Sequence, residues 1–294
     1  MVLKTDISWF TPQSMDASGL SWRSIGYTEV SLNLFEKLKE RGQRVLWNAT
    51  GTKWHVNYCL PYYYNYDVPR VVGYTPWEYT AIPPAWVYQF NQCEQVWTTS
   101  AWCKEILDKY NLDPPVRVLA HGIGSEWTVE EREISDKFYF LHVGGESIRK
   151  NIQLVITAFL DCFEGDEDYH LILKVTDGIE NIKLQPSLED LTKHPQITVL
   201  NGFIPKDSLV SLYKNSHCMV YPTAGEGFGM IPFQAKQQVC QLFVLSLLDV
   251  INSLTCLCLL KQLGAMCQKV RSTITTLWEL ALNRPFQTMQ ICAG

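Results

Sequence analysis

Two successive arrays of alternating strands and helices predict an α/β protein with two doubly wound, mostly parallel sheets. Short β-branched or aromatic runs such as Val45-Leu46-Trp47 and "QITVLNGF" alternate with segments whose apolar residues fall at helical spacing. The alternation halts over the polar, acidic stretch 122–136 and then restarts, so that stretch is read as the linker between domains of 1–121 and 137–236. A chain of 294 residues is long enough for two compact domains.

In the first domain, "EVSLNLFEKLKERGQRVLWNAT" predicts a helix, a stop and a strand: Val30, Leu34 and Leu38 share a face, and Gly42 stands where a helix ends. "RVVGYT" (70–75) is a strand, "PPAWVYQFNQC" a helix begun after proline, and "QVWTTS" a strand. "SAWCKEILDKYNL" is a helix with Ser100 as N-cap, and "VRVLAHGI" (116–123) closes the array as a strand. In the second domain the strands are "KFYFLHVGG", "YHLILKVT", "QITVLNGF" and "HCMVYPT", separated by the helices "NIQLVITAFLDCF", "LEDLTKH" and "PKDSLVSLYKNS".

Composition narrows the function. A net charge of -5 lacks the basic excess that a nucleic-acid or anionic-membrane surface requires. The opening "MVLKTDISWF" lacks the apolar run of a secretory signal, so a cytoplasmic protein is expected. Ten cysteines contain the C-x-C pair Cys256 and Cys258 but no C-x-x-C, which makes free thiols the expectation and a metal site unexpected.

Two features carry chemistry. In "YPTAGEGFGM" a strand runs into a turn with Gly225, Gly227 and Gly229, whose backbone amides suit an anionic or hydroxyl-rich ligand, although such glycines also serve merely to avoid steric clash. In "VGGESIRKN" the cations Arg149 and Lys150 stand at a helix start, which the helix dipole disfavours unless an anion compensates. The carboxyl ends of neighbouring parallel strands share one crevice, so the pair and the turn together could hold a diphosphate.

The order of these segments resembles the GT-B glycosyltransferases of group 1, also labelled family 4. The residues that carry the likeness are "FYFLHVGGESIRKNIQLVITAF", "LVSLYKNSHCMVYPTAGEGFGMIPFQA", "GYTPWEYTAIPPAWVYQFNQCEQVWTTSAWCKEIL" and "VRVLAHGI", within 15–235. The resemblance implies two Rossmann-like domains facing a cleft. It implies transfer of a sugar from a nucleotide-diphosphate donor to an unknown acceptor, with retention, no metal and no cofactor.

By the same resemblance Arg149 and Lys150 hold the diphosphate, and Glu226 matches the first glutamate of an E-x7-E motif facing the donor sugar. Gly227, Phe228 and Gly229 present their backbone to sugar and phosphate. The second glutamate falls on Gln234, which still bonds a ribose diol but without the strength of a carboxylate. Phe203 and Ile204 stand where the base is met, although a plain strand end with a turn reads equally well; Gly19 and Gly26 stand in a phosphate-facing first loop, and Glu78 in an acceptor- or donor-side loop, assigned to the acceptor side. His121 and His142 read as packed strand or linker histidines rather than bases, and the D-x-D in "EGDED" (164–168) as a solvated turn.

The pattern breaks at Lys236. In the family the helix continues into a segment of the kind A-T-G-x-P-V-I, completing the sheet. Here "KQQVCQLF" follows, and its degenerate codons, shifted by two bases, permit Ala-Thr-Gly-Val-Pro-Val-Ile. Residues 237–294 hold five of the ten cysteines and 6 charges in 58 residues, against 49 in the preceding 236. An out-of-frame or disordered tail is therefore expected, leaving the second domain incomplete. The apolar stretch 240–260 is an unpromising membrane span, because Asp249 near its centre costs about 2.5–3.5 kcal/mol. The alternative function is a non-catalytic remnant that binds sugar nucleotide weakly or not at all; an epimerase or phosphorylase of the same fold is a third reading.

Overall fold

The computed structural model describes residues 6–11, 14–16, 19–21, 25–127, 135–145, 147–176, 179–238 and 241–244. Its contacts divide the chain into two units: Met1–Trp127 with Glu226–Met230, and Thr128–Gly225 with Ile231–Gly294.

The first unit runs β1 (Ile7–Phe10), a hairpin of β2 (Ser14–Asp16) and β3 (Gly19–Ser21), α1 (Ile25–Glu40), β4 (Val45–Trp47), β5 (Trp54–Tyr58), β6 (Val71–Tyr74), α2 (Pro84–Asn91), β7 (Gln95–Thr98), α3 (Ala101–Asp108) and β8 (Val116–Val118). Six of these strands form one parallel sheet in the order β4-β1-β5-β6-β7-β8. Such a sheet buries both faces. Trp9, Val56, Tyr58, Val72 and Tyr74 pack with Val30, Leu34 and Phe35 of α1, and Trp9 Nε1 donates to Ser31 Oγ at 3.0 Å. A second cluster joins Val71 and Val96 to Trp86 and Phe90 of α2 and to Ile106 and Leu107 of α3.

Strands β1 and β5 break the apolar pattern because polar side chains stand inside them. Ser8, His55 and Asn57 are fully buried. His55 Nδ1 lies 2.8 Å from Ser8 Oγ across the paired strands, and its Nε2 lies 3.2 Å from Asn57 Oδ1. Asn57 in turn bonds the Asn65 carbonyl and amide, at 3.0 and 2.8 Å, so each buried group has a partner. Burial holds the His55 pKa below its usual 6.5.

The second unit runs β9 (Phe138–Gly144), α4 (Ile152–Phe163), β10 (Tyr169–Val175), α5 (Leu188–Lys193), β11 (Ile197–Leu200), α6 (Lys206–Asn215), β12 (Cys218–Tyr221), α7 (Met230–Gln237) and β13 (Gln241–Val244). Its five strands are parallel, ordered β11-β10-β9-β12-β13. Phe140, Leu171, Leu173 and Val175 pack with Ile152, Val155, Ile156 and Phe159 of α4.

Three expectations differ in detail. The last strand of the first array ends at Val118 rather than near Ile123, and α1 begins at Ile25, ahead of the amphipathic run. Residues 241–244, inside the stretch expected to lack the closing strand, form β13 and pair with Cys218–Tyr221. The remainder of the tail expectation, 239–240 and 245–294, lies outside the described residues. Among the described residues no helix is long and apolar enough to cross a membrane.

Candidate functional site

In the second unit the cations come from a short 3₁₀ turn, Ile148–Lys150, between β9 and α4. Asn151 links turn to helix in the left-handed region, φ 53°, and so swings the two residues out of the helix proper. The neighbouring strand β12 ends in Pro222-Thr223-Ala224-Gly225, and this segment is tied to the turn. Arg149 Nη1 donates to the Gly225 carbonyl at 2.7 Å, and the Ala224 amide donates to the Arg149 carbonyl at 2.8 Å. Asn151 Nδ2 donates to the Pro222 carbonyl at 2.7 Å, and Lys150 Nζ donates to the hydroxyl of fully buried Tyr221. Lys150 is itself only 8 % exposed. Residues 76 apart in sequence, Arg149 and Gly225, thus meet at the carboxyl end of two adjacent parallel strands. Ligands of doubly wound sheets bind at such an edge.

His142 of β9 lies against this cluster. Its Nδ1 is 2.9 Å from the Val220 carbonyl and its ring stacks beside Tyr221 at 6.2 Å. Burial, and secondarily the charge of Lys150, push its pKa down to about 4. A neutral, buried ring bonded to a backbone carbonyl agrees with its reading as a packed histidine, although Nε2 has no hydrogen-bond partner.

The segment Glu226–Met230 belongs to the first unit, at the carboxyl ends of β6 and β7. The Gly227 carbonyl accepts from Thr99 Oγ1 at 2.7 Å and from Cys103 Sγ at 3.2 Å. A Cβ at Gly227 would meet Pro76 Cβ at 2.8 Å and the Trp77 amide nitrogen at 3.0 Å, so close packing requires glycine here. Gly229 has φ 82°, which also favours glycine. The Phe228 ring packs on His121 at 5.0 Å, and His121 Nε2 bonds Tyr58 at 2.7 Å. Burial pushes the His121 pKa down to about 4. Glu226 is 8 % exposed. Glu78, in the loop after β6, is half-buried; burial first, then the Glu78 charge, raise the pKa of Tyr27.

The other sequence candidates are spread more widely. Gln234 is buried in α7. Phe203 is 75 % exposed and Ile204 half-buried in the turn after β11. Gly202 there has φ 85°, and its carbonyl accepts from buried Lys174 at 2.5 Å. Gly26 lies in the first turn of α1 with open space where a Cβ would stand, and Gly19 lies in β3. Sequence reasoning missed Thr99, Cys103, Tyr221 and Lys174. A lysine near the end of the apolar run Leu171-Ile172-Leu173 was the one signal available for the last. Among the described residues no group of three or more His, Cys, Asp or Glu could hold a metal ion.

Comparison with known proteins adds a family. Residues 125–245 match the model of "Glycosyl transferases group 1". A stretch of 147 residues, 49% of this chain, is 28% identical to the O-antigen chain mannosyltransferase RfbU of Salmonella typhimurium, and spans 40% of that relative's length. The fold is similar to that of a glycosyltransferase from Rickettsia africae ESF-5, at a TM-score of 0.57 and 11% identity over 82% of this chain and 79% of that one. It is also similar to the lipopolysaccharide outer core galactosyltransferase WaaB, at a TM-score of 0.53 and 12% identity over 81% and 80%. Residues 125–245 thus match the glycosyl transferases group 1 model, in a chain whose two parallel α/β units are similar in fold to GT-B glycosyltransferases.

Proposed function

We propose that the chain transfers a hexosyl group from a nucleotide-diphosphate sugar to an acceptor, with retention and without a metal. The observation that carries this reading is the bonding of the Arg149-Lys150 turn to the segment that ends at Gly225. It supports a preorganised cationic site for the diphosphate. As the bond from the sugar anomeric carbon to phosphate breaks, negative charge grows on the leaving oxygen, and fixed cations oppose that growth without reorganising. Arg149 and Lys150 fill this role. In the same unit Gln234 and the Phe203-Ile204 turn contact the nucleoside.

Lys150→Ala tests the site by titration calorimetry with common sugar nucleotides. Loss of a charged hydrogen-bond donor costs on the order of 1.5–3 kcal/mol, so affinity drops tenfold or more. Unchanged affinity for every sugar nucleotide would remove the phosphate site and the transferase with it.

Gln234 favours a second reading, a remnant with weak donor binding, because an amide replaces the expected carboxylate in a buried position. Residues 237–294 are then an out-of-frame translation of a former domain end. Turnover by the purified chain excludes the remnant; failure of both donor binding and turnover establishes it.

A further inference from the structure

The loops that leave β5 and β6 are rich in aromatic residues and poor in charge. Across 59–69 and 75–93 the charged residues are Asp67 and Glu78, with no lysine or arginine. The rings form a continuous series. Tyr62 meets Trp86 edge-on with centroids 5.7 Å apart, Trp86 meets Trp77 at 4.4 Å, and Trp77 meets Tyr79 at 5.1 Å. The middle is fixed: Trp86 is buried, and Trp77 Nε1 donates to the Ala81 carbonyl at 2.8 Å. The ends are open, with Tyr62 57 % and Tyr79 46 % exposed, and Tyr63, next to Tyr62 in sequence, 60 % exposed.

Rings left in water forgo about 25 cal/mol for each Å² of apolar area, and a clustered exposed patch marks a binding surface. Both loops follow the carboxyl ends of adjacent parallel strands, the edge where ligands of such sheets dock.

We propose that this aromatic series is a stacking platform for the pyranose rings of a saccharide acceptor. The inference deepens the transferase reading and rests on it. A pyranose has an apolar C–H face and a rim of hydroxyls; a tyrosine offers a flat apolar ring with a phenol at its edge, at little conformational cost. Glu78, between Trp77 and Tyr79 in sequence, adds an acceptor for sugar hydroxyls. Anionic lipid or nucleic acid would need basic residues, and these loops have two acids instead. A neutral glycan is the ligand that this chemistry fits.

Saturation-transfer NMR on the purified full chain tests the platform, with mannobiose and maltose as probes and sorbitol, which has no ring face, as control. The disaccharides receive saturation and sorbitol does not. The exposed double variant Tyr62→Ala/Tyr79→Ala removes both accessible end rings and weakens disaccharide binding about tenfold, as loss of aromatic anchors does, with an unchanged thermal midpoint; Tyr79→Phe, which keeps the ring, retains most of it. The inference is overturned if neither disaccharide contacts the chain, or if the double variant binds them like the parent. It is equally overturned if the same variant instead loses pelleting with phosphatidylcholine vesicles. Sugar-nucleotide titration of Lys150→Ala on matched samples separates the two readings. A donor defect there with no tyrosine dependence sinks the platform alone, whereas no donor defect sinks the transferase.

Discussion

His142 makes the second unit sensitive to acid in a calculable way. Its ring is fully buried, Nδ1 donates to the Val220 carbonyl, and burial is the main force pushing its pKa from 6.5 to about 4. The folded chain therefore keeps a neutral ring where the unfolded chain takes up a proton. Stability from this residue is complete above pH 6.5 and is lost as pH falls towards about 4. From about pH 7.5 to about pH 5 the single proton costs about 2 kcal/mol, since each pKa unit corresponds to roughly 1.4 kcal/mol. His142→Leu removes the titration. It also strands the Val220 carbonyl, but that offset is the same at every pH. Urea unfolding of parent and variant at both pH values reads the difference: the parent loses about 2 kcal/mol more than the variant. His121, also held near 4, titrates in both proteins and cancels. Parallel loss in parent and variant would refute the reasoning.

Gly227→Ala forces a Cβ against Pro76 and Trp77, and thermal or urea unfolding should register an overpacking loss of about 1–3 kcal/mol. Ser100→Ala removes the side chain that accepts from the Cys103 amide at 3.1 Å and should cost about 1 kcal/mol, whereas Ser100→Asp retains the cap. Gly73→Ala drives a methyl into the buried Tyr64 ring, so its unfolding midpoint falls while the smaller-ring-contact variant Gly73→Ala/Tyr64→Leu recovers part of the loss. For the tail, the coding DNA read two bases onward from Lys236 should continue as Ala-Thr-Gly-Val-Pro-Val-Ile; an intact frame in relatives that share residues 237–294 would end that reading.

Much of the architecture was legible because local rules and tertiary packing agree there. Gly42 follows α1 with φ 71°, Ser100 caps α3, and apolar periodicity locates α4 within a residue of its start. The meeting of Arg149 with the glycine-bearing turn was legible from the rule that adjacent parallel strands share a carboxyl edge. Strands β1 and β5 were not, since Ser8, His55 and Asn57 satisfy one another inside the sheet and no sequence period announces such a network. Nor was the hold of Thr99 and Cys103 on Gly227, which joins residues 128 and 124 apart through a backbone carbonyl. Contacts to main-chain oxygen leave little trace in side-chain patterning.

The pairing of β12 with β13 uses main-chain groups, and a peptide group is the same in every reading frame. A chain whose codons slipped beyond Lys236 would keep the means to zip a strand onto that edge while drawing its side chains from an unrelated lottery. Sheet completion and pocket chemistry are therefore separable inheritances: the first survives a change of text, and the second does not.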